Sequence, residues 1–443
     1  MTPTSAAPST SASRLNARLQ GARDRSQDLF AIVRPTALYD RPIPERHRII
    51  FYLGHLEAFD WNLLKGPLGL SSFDSGLDKL FSFGIDPVDG GLPTDQPKDW
   101  PSLEQIRGYA ARLREILDRK LQDALANDPN LTRLEHGRLL EVAIEHRLMH
   151  AETLSYMLHQ LPVDSKFSVA LAPAPDAPPP ISRVAEIPAG TATLGLPSGT
   201  PETFGWDNEF PQLRIEVPSF RIDSRSVTNQ DYLRFMREGG YTDRALWRDA
   251  GWEWITSAQH RHPAFWVPRG DSWACRTMFH EIPLPLDWPV YVSHEEASAY
   301  ARWAGKELPS EGEWHRAACG TRAGTERAYP WGWEPPSPRL GNFDFQRWDP
   351  VPAGSYPDGA SDFGVADLAG NGWEWTRTPF APFPGFKPFS FYPGYSADFF
   401  DGKHFVMKGG SPRTAACMLR RSFRNWFQPR YPYVYATFRC VER

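Results

Sequence analysis

A proline-rich run, LAPAPDAPPP at 171–180, divides the sequence into two segments of different character. Prolines at this density keep the backbone extended and offer nothing from which to build a core, so 161–185 reads as a linker. The chain's 443 residues exceed what one hydrophobic core serves, about 250–300, so two domains are expected. They are placed at 13–160 and 186–443, after a disordered tail at 1–12. Composition changes across the run as well: 15 of the 17 tryptophans lie after position 186, among many glycines and prolines.

The first segment reads as helices. Apolar residues recur at helical spacing over 13–34, 44–65, 101–126 and 132–160, including Leu15, Leu19, Leu29, Phe30 and Val33 in the first run. Pro101-Ser102 opens the third run with Glu104 in its first turn, and Asp128-Pro129-Asn130 breaks the chain before the fourth. Four long helices suggest a bundle, a usual place for metal sites built from facing helices. The loop at 66–100 is long for a bundle and is expected to be functional or disordered, with the reach to cross the bundle's open end. The second segment should form short strands and loops pinned by buried aromatics. Two helices are predicted there, at 228–238 and 294–305, capped by Thr228 and Ser293.

A formal net charge of -4 gives no general attraction for nucleic acid or an anionic membrane, so the partners expected are small molecules. No run approaches the roughly 20 apolar residues that cross a bilayer, and MTPTSAAPSTSAS lacks a basic start and an apolar core, which points to a cytoplasmic protein. Cys275, Cys319, Cys417 and Cys440 include no close pair, so buried reduced thiols are expected rather than a disulfide scaffold or a zinc ribbon.

The chemistry-bearing stretch is VAIEHRLMHAETLSYMLHQL at 142–161. His146 and His150 stand four residues apart, so on a helix they project from one face, one turn apart, where a single metal ion can take both. His55, in RHRIIFYLGHLEAFDWNLL, is a third candidate. Spacing alone leaves a metal site, a surface pair and a satisfied core pair all open.

Beyond the linker a series of phrases appears in order: IPAGTATLG at 187–195, WDNEFP at 206–211, VTNQDYLRF at 227–235, YARWAGKELPSEGEWHRAA at 300–318, DLAGNGWEWT at 367–376 and KGGS at 408–411. Together they resemble the formylglycine-generating-enzyme and sulfatase-modifying-factor fold, a C-type-lectin-like arrangement with little regular secondary structure. The formylglycine enzymes bind copper through two cysteines after the GGS turn. Here SPRTAACMLRRSFR holds only Cys417, out of register, so formylglycine generation is not expected. The first segment, with its HxxxH helix, resembles the DinB-like four-helix bundle. The combination, together with GGYTDRALWRDAGW at 239–252 and RNWF at 424–427, resembles the ergothioneine-type sulfoxide synthases.

This resemblance implies an α+β chain of two domains, with iron(II) held by His55, His146 and His150. It also implies hercynine (trimethylhistidine) and dioxygen as substrates, and oxidative attachment of a chalcogen to C2 of the imidazole. Three neutral imidazoles suit iron among other first-row metals and leave positions open, although zinc is not excluded. Asn425 and Trp426 match the pair expected beside hercynine: the amide can bond its carboxylate and the indole face its trimethylammonium.

Several positions depart from the family pattern. The loop IDPVDGGLPTDQPKDW lacks the arginines that hold a cysteine-type co-substrate, and Phe427 stands where an acidic residue would meet its ammonium. Phe380 and Phe383 occupy the two tyrosine positions of EWTSSAYxPYPGF, LFSFGID has no tyrosine, and Met149 replaces a glutamine between the helix histidines. These losses resemble the selenoneine synthase branch, whose donor is a selenosugar; hydroxyls need no charged anchor. The runner-up is carbon–sulfur bond formation from hercynine and gamma-glutamylcysteine or cysteine, with Arg413, Arg420, Arg421, Arg424 or Arg430 supplying charge. A third reading is a lectin-like binding module without catalysis. No catalytic residue is assigned; Tyr431, Tyr433 and Tyr435 are candidate phenols, but their alternation also suits a half-buried strand.

Overall fold

The structure is a computed structural model that describes residues 11–82, 92–128, 131–170, 183–199 and 203–442. The chain divides into two compact units, Met1–Val169 and Ala170–Arg443. Residues 1–10 of the expected tail, 83–91 of the long loop and 171–182 of the linker lie outside the described residues, while Ser11 and Ala12 open the first helix.

The first unit consists of α1 (Ser11–Ala31), α2 (Ile49–Leu64), the short α3 (Ser75–Leu80), α4 (Leu103–Asn127) and α5 (Arg138–Gln160). Helix α1 stops before Pro35, whose preceding residue, Arg34, is extended, as a pre-proline residue prefers. Helix α4 opens as its sequence suggests: the Ser102 hydroxyl accepts from the Gln105 N–H, and the Gln105 side chain accepts from the Ser102 N–H. Two helices start later than their periodicity suggests. Helix α2 begins only after Pro42 and Pro44, and α5 begins after Glu135 and His136, both left-handed at φ 50° and 56°. Apolar periodicity carries no information about such backbone reversals. Long α5 is buried along most of its length, packed against α1, α2 and the turn before it.

The second unit has little regular structure for its size. Its strands are β1 (Val184–Ile187), β2 (Gly190–Leu194), β3 (Leu213–Val217), β4 (Phe220–Asp223), β5 (Trp266–Arg269), β6 (Ser272–Arg276), β7 (Glu281–Pro283), β8 (Gly372–Pro379), β9 (Phe405–Gly410), β10 (Asn425–Phe427), β11 (Ala436–Thr437) and β12 (Val441–Glu442). Its helices are α6 (Asn229–Arg237), α7 (Asp249–Ser257), α8 (His294–Trp303), α9 (Glu311–Cys319) and the single-turn α10 (Gly394–Ala397). The two helices expected from sequence are α6 and α8, and the Thr228 and Ser293 side chains cap them. The central sheet runs β10-β9-β8-β11, and α9 packs on β2, β3, β8 and β9. Trp373 and Trp375 of β8 are buried, while Glu374 between them is tied to Arg439 and to the Trp314 indole.

Tyr431, Tyr433 and Tyr435 do not form a strand; β11 begins after them. Pro432 sits within the alternating run and removes an N–H that a ladder would need. Tyr435 is buried against Phe265 and Tyr291, and Tyr431 stacks on Phe427. Cys275, Cys319 and Cys440 are buried free thiols, but Cys417 is only half-buried. No helix of the described residues is long and apolar enough to cross a membrane.

Candidate functional site

Helices α2 and α5 bring His55, His146 and His150 together, all buried, with one ligand atom from each lying within 4.8 Å of the others. The His150 Nε2 is 3.2 Å from that of His55 and 3.1 Å from that of His146. The His55 Nδ1 is 2.7 Å from the Phe81 carbonyl oxygen; only an N–H donates to a carbonyl, so the proton sits on Nδ1 and Nε2 presents its lone pair. Burial lowers all three pKa values, His55 to about 4 and the other two well below their usual range. The imidazoles are therefore neutral.

Neutral rings cannot satisfy both contacts at His150. If its Nε2 is protonated, it donates to one neighbour and faces the other without a second proton to share. If it is unprotonated, it accepts from His146 and opposes the lone pair of His55. A single cation held by three Nε2 lone pairs relieves this conflict, so the residues fit a first-row metal ion. Among the described residues the buried Nδ1 atoms of His146 and His150 have no hydrogen-bond partner, so of the three imidazoles His55 is the one whose outer nitrogen is held, by the Phe81 carbonyl.

Helix α2 also supplies aromatic walls. Phe51 stacks on His55 at 4.7 Å, Phe59 stacks on His146 at 3.3 Å, and the Tyr52 ring lies 5.7 Å from His150. Relative to His55 these residues are at -4, +4 and -3, on its face of the helix. Gly54 opens the neighbouring face, where an added Cβ would stand 2.5 Å from the Phe81 ring. That close approach brings the Phe81 carbonyl to His55. Met149 is half-buried between the two helix histidines.

In the second unit, Trp426 lies on β10, paired with Val406 of β9. Phe380, just past the end of β8, stacks parallel on its indole at 4.2 Å; the Tyr395 ring meets it edge-on at 5.4 Å and Phe399 lies at 5.6 Å. The Asn425 Oδ1 accepts from the Trp426 N–H at 2.9 Å, which makes Nδ2 the amide atom able to donate to a carboxylate. Phe380 is 1% exposed, and Phe383 lies under the Arg424 guanidinium at 4.2 Å. Phe380 thus backs the Trp426 indole, Phe383 packs on Arg424, and Phe427 faces Tyr431. Tyr52 and Tyr395, two phenols beside these groups, lie in no motif and so carry no signal in the sequence.

Three of the candidate charge-bearing arginines are engaged by carboxylates. Arg420 pairs with Glu209 at 2.5 Å, Arg421 with Glu326 at 3.3 Å, and Arg424 with Glu311 at 2.9 Å. Arg413 lies over the Trp348 ring at 3.8 Å, and Arg430 is exposed.

Residues 18–154 match the DinB superfamily and residues 171–443 the sulfatase-modifying factor enzyme 1-like domain. A hercynine oxygenase of Mycolicibacterium smegmatis is 36% identical over 346 residues, covering 76% of this chain and 76% of the relative. The chain belongs to the ergothioneine-type hercynine oxygenase family. Within that family, a hercynine oxygenase of Mycolicibacterium thermoresistibile is 42% identical over 247 residues, covering 54% of each protein. Ergothioneine biosynthesis protein 1 of Neurospora crassa is 30% identical over 491 residues, covering 91% of this chain and 55% of the fungal protein. The chain thus spans about half the length of these last two relatives.

Proposed function

We propose that the chain is a non-heme iron oxidoreductase that joins a chalcogen to C2 of the hercynine imidazole, with dioxygen as oxidant and an uncharged selenosugar as donor. The observation that carries the metal reading is the convergence of three neutral, buried imidazole nitrogens whose contacts no set of neutral tautomers satisfies. Iron(II) bound by His55, His146 and His150 would supply the activation of dioxygen. The Trp426 cluster is the proposed seat of the hercynine trimethylammonium, with the Asn425 amide donating to the carboxylate. Phe380 holds the indole from behind.

The donor assignment rests on what surrounds these groups. A cysteine-type thiol needs a cation for its carboxylate and an anion for its ammonium. Arg420, Arg421 and Arg424 are already neutralised by Glu209, Glu326 and Glu311, and Phe427 offers no charge. Making one carbon–selenium bond breaks the C2–H and Se–H bonds and releases two protons and two electrons, which together reduce one dioxygen to hydrogen peroxide. The Neurospora relative, named for ergothioneine biosynthesis, favours a second reading in which a thiol such as gamma-glutamylcysteine is joined instead. Iron-loaded protein incubated with hercynine, dioxygen and either a selenosugar or gamma-glutamylcysteine decides between them. Preferential turnover of the selenosugar is expected; preference for the peptide thiol overturns the donor assignment. No stoichiometric iron or manganese in the protein as isolated, and no iron(II) uptake, would leave the non-catalytic lectin-like module.

A further inference from the structure

Immediately behind the three histidines lies a cluster of six charges drawn from all four long helices of the bundle: Arg23, Glu57, Asp60 and Arg147 are buried, and Arg114 and Asp118 close it at a half-buried edge. Arg147, next to His146 on α5 and 1% exposed, donates from Nη2 to the Leu56 carbonyl at 2.8 Å and to Asp60 at 2.6 Å, and from Nη1 to Glu57 at 3.1 Å. All three acceptors lie on α2, next to or within five residues of His55. Asp60 also faces Arg23 of α1 at 3.9 Å, Arg23 pairs with Asp118 of α4 at 2.5 Å, and Glu57 takes Arg114 of α4. Three guanidinium groups and three carboxylates balance.

Such a cluster is an expensive way to hold a bundle together, because well-packed apolar side chains of similar volume usually stabilise as much or more. What buried ion pairs add is direction. Apolar contacts tolerate small displacements, whereas a guanidinium fork bonded to a main-chain carbonyl and two carboxylates fixes one geometry. A slip of α5 by one residue along α2 moves it 1.5 Å, whereas a metal site tolerates about 0.2 Å in its ligand distances.

We propose that Arg147 is a positioning residue for the metal centre: its fork onto Leu56, Glu57 and Asp60 sets the register of α5 on α2 that brings the Nε2 atoms of His146 and His150 against that of His55. This rests on the metal reading of the three histidines.

The test measures metal affinity and not turnover. Cobalt(II) is titrated into the full chain and followed by its visible ligand-field spectrum, in the wild type, in Arg147→Lys and in Leu19→Ala, the last a core truncation on α1 that leaves every partner of the Arg147 fork in place and lowers stability in its own right. Arg147→Lys keeps the charge but loses the fork; it is expected to fold, to bind cobalt(II) about tenfold or more weakly, and to show an altered spectrum. Leu19→Ala should bind as the wild type does. Should Arg147→Lys fail to fold, the triple variant Arg147→Met, Glu57→Gln, Asp60→Asn removes the fork without leaving either acid unpaired, and the same loss of affinity is expected. Wild-type affinity and spectrum in either folded variant, or an equal loss in Leu19→Ala, overturn the positioning role. A wild-type protein that takes up neither cobalt(II) nor iron(II) overturns the metal reading itself.

Discussion

Gly54 is a position where one methyl group reaches the proposed metal centre. The Phe81 ring that it would strike is fully buried against Phe51, Trp100 and Tyr109 and cannot retreat. Gly54→Ala is therefore expected to cost about 1–3 kcal/mol by overpacking. It should also weaken cobalt(II) binding, since the Phe81 carbonyl holds the His55 tautomer; thermal unfolding and metal titration check both. Asp367 offers a second residue-level test. It is buried at φ 55°, accepts from the Gly354 N–H, and burial pushes its carboxyl up to about 6. A raised folded-state pKa means that the protonated form is favoured on folding. Its contribution is thus fully present below about 3.8 and lost as pH rises through about 6, a change of roughly 3 kcal/mol. Asp367→Asn keeps an acceptor and suits the left-handed backbone, so unfolding measured from pH 4 to 7 should lose this part of its pH dependence. The sequence made His146 and His150 legible because i, i+4 spacing is local. His55 needed the family resemblance, and the Phe81 carbonyl left no trace, since a main-chain acceptor has no residue-type signature.

Helix α9 teaches the same lesson one level up. Apolar periodicity gives no sign of it, although Ser310-Glu311-Gly312-Glu313 carries the S-x-x-E pattern of a capping box. The box is formed: the Ser310 hydroxyl accepts from the Glu313 N–H at 3.2 Å, and the Glu313 carboxylate accepts from the Ser310 N–H at 2.7 Å. The helix is only nine residues long and packs on the central sheet, so apolar periodicity had too few turns to register. Ser310→Ala should cost about 1 kcal/mol, read as a lower denaturant midpoint with unchanged slope. A tryptophan-rich segment with short strands was a correct description of the second unit. Strand register was not accessible, because pairings such as β8 with β11 join residues far apart in sequence.

At the scale of the whole molecule, the chain's two compact units allow metal binding to be read as a local stabilisation. An ion that binds only the folded bundle raises its stability by about 2.7 kcal/mol when free metal is one hundred times Kd. Calorimetry with and without a chelator should therefore move the helical transition, by an amount that grows with the free metal concentration. The division was legible from the proline run and the tryptophan distribution, since both are compositional. The charge cluster behind the histidines was not, because its members are scattered over four helices and each alone looks like a solvated surface residue. The tautomer conflict at His150 leaves the bundle without an ion a repulsion at its centre, which α2 and α5 ease by breathing apart. Backbone amides flanking His55 and His150 should consequently exchange with deuterium faster in the metal-free protein and slow sharply on loading, while α1 amides far from the histidines change little; equal rates in both states would show that the repulsion is absorbed without motion.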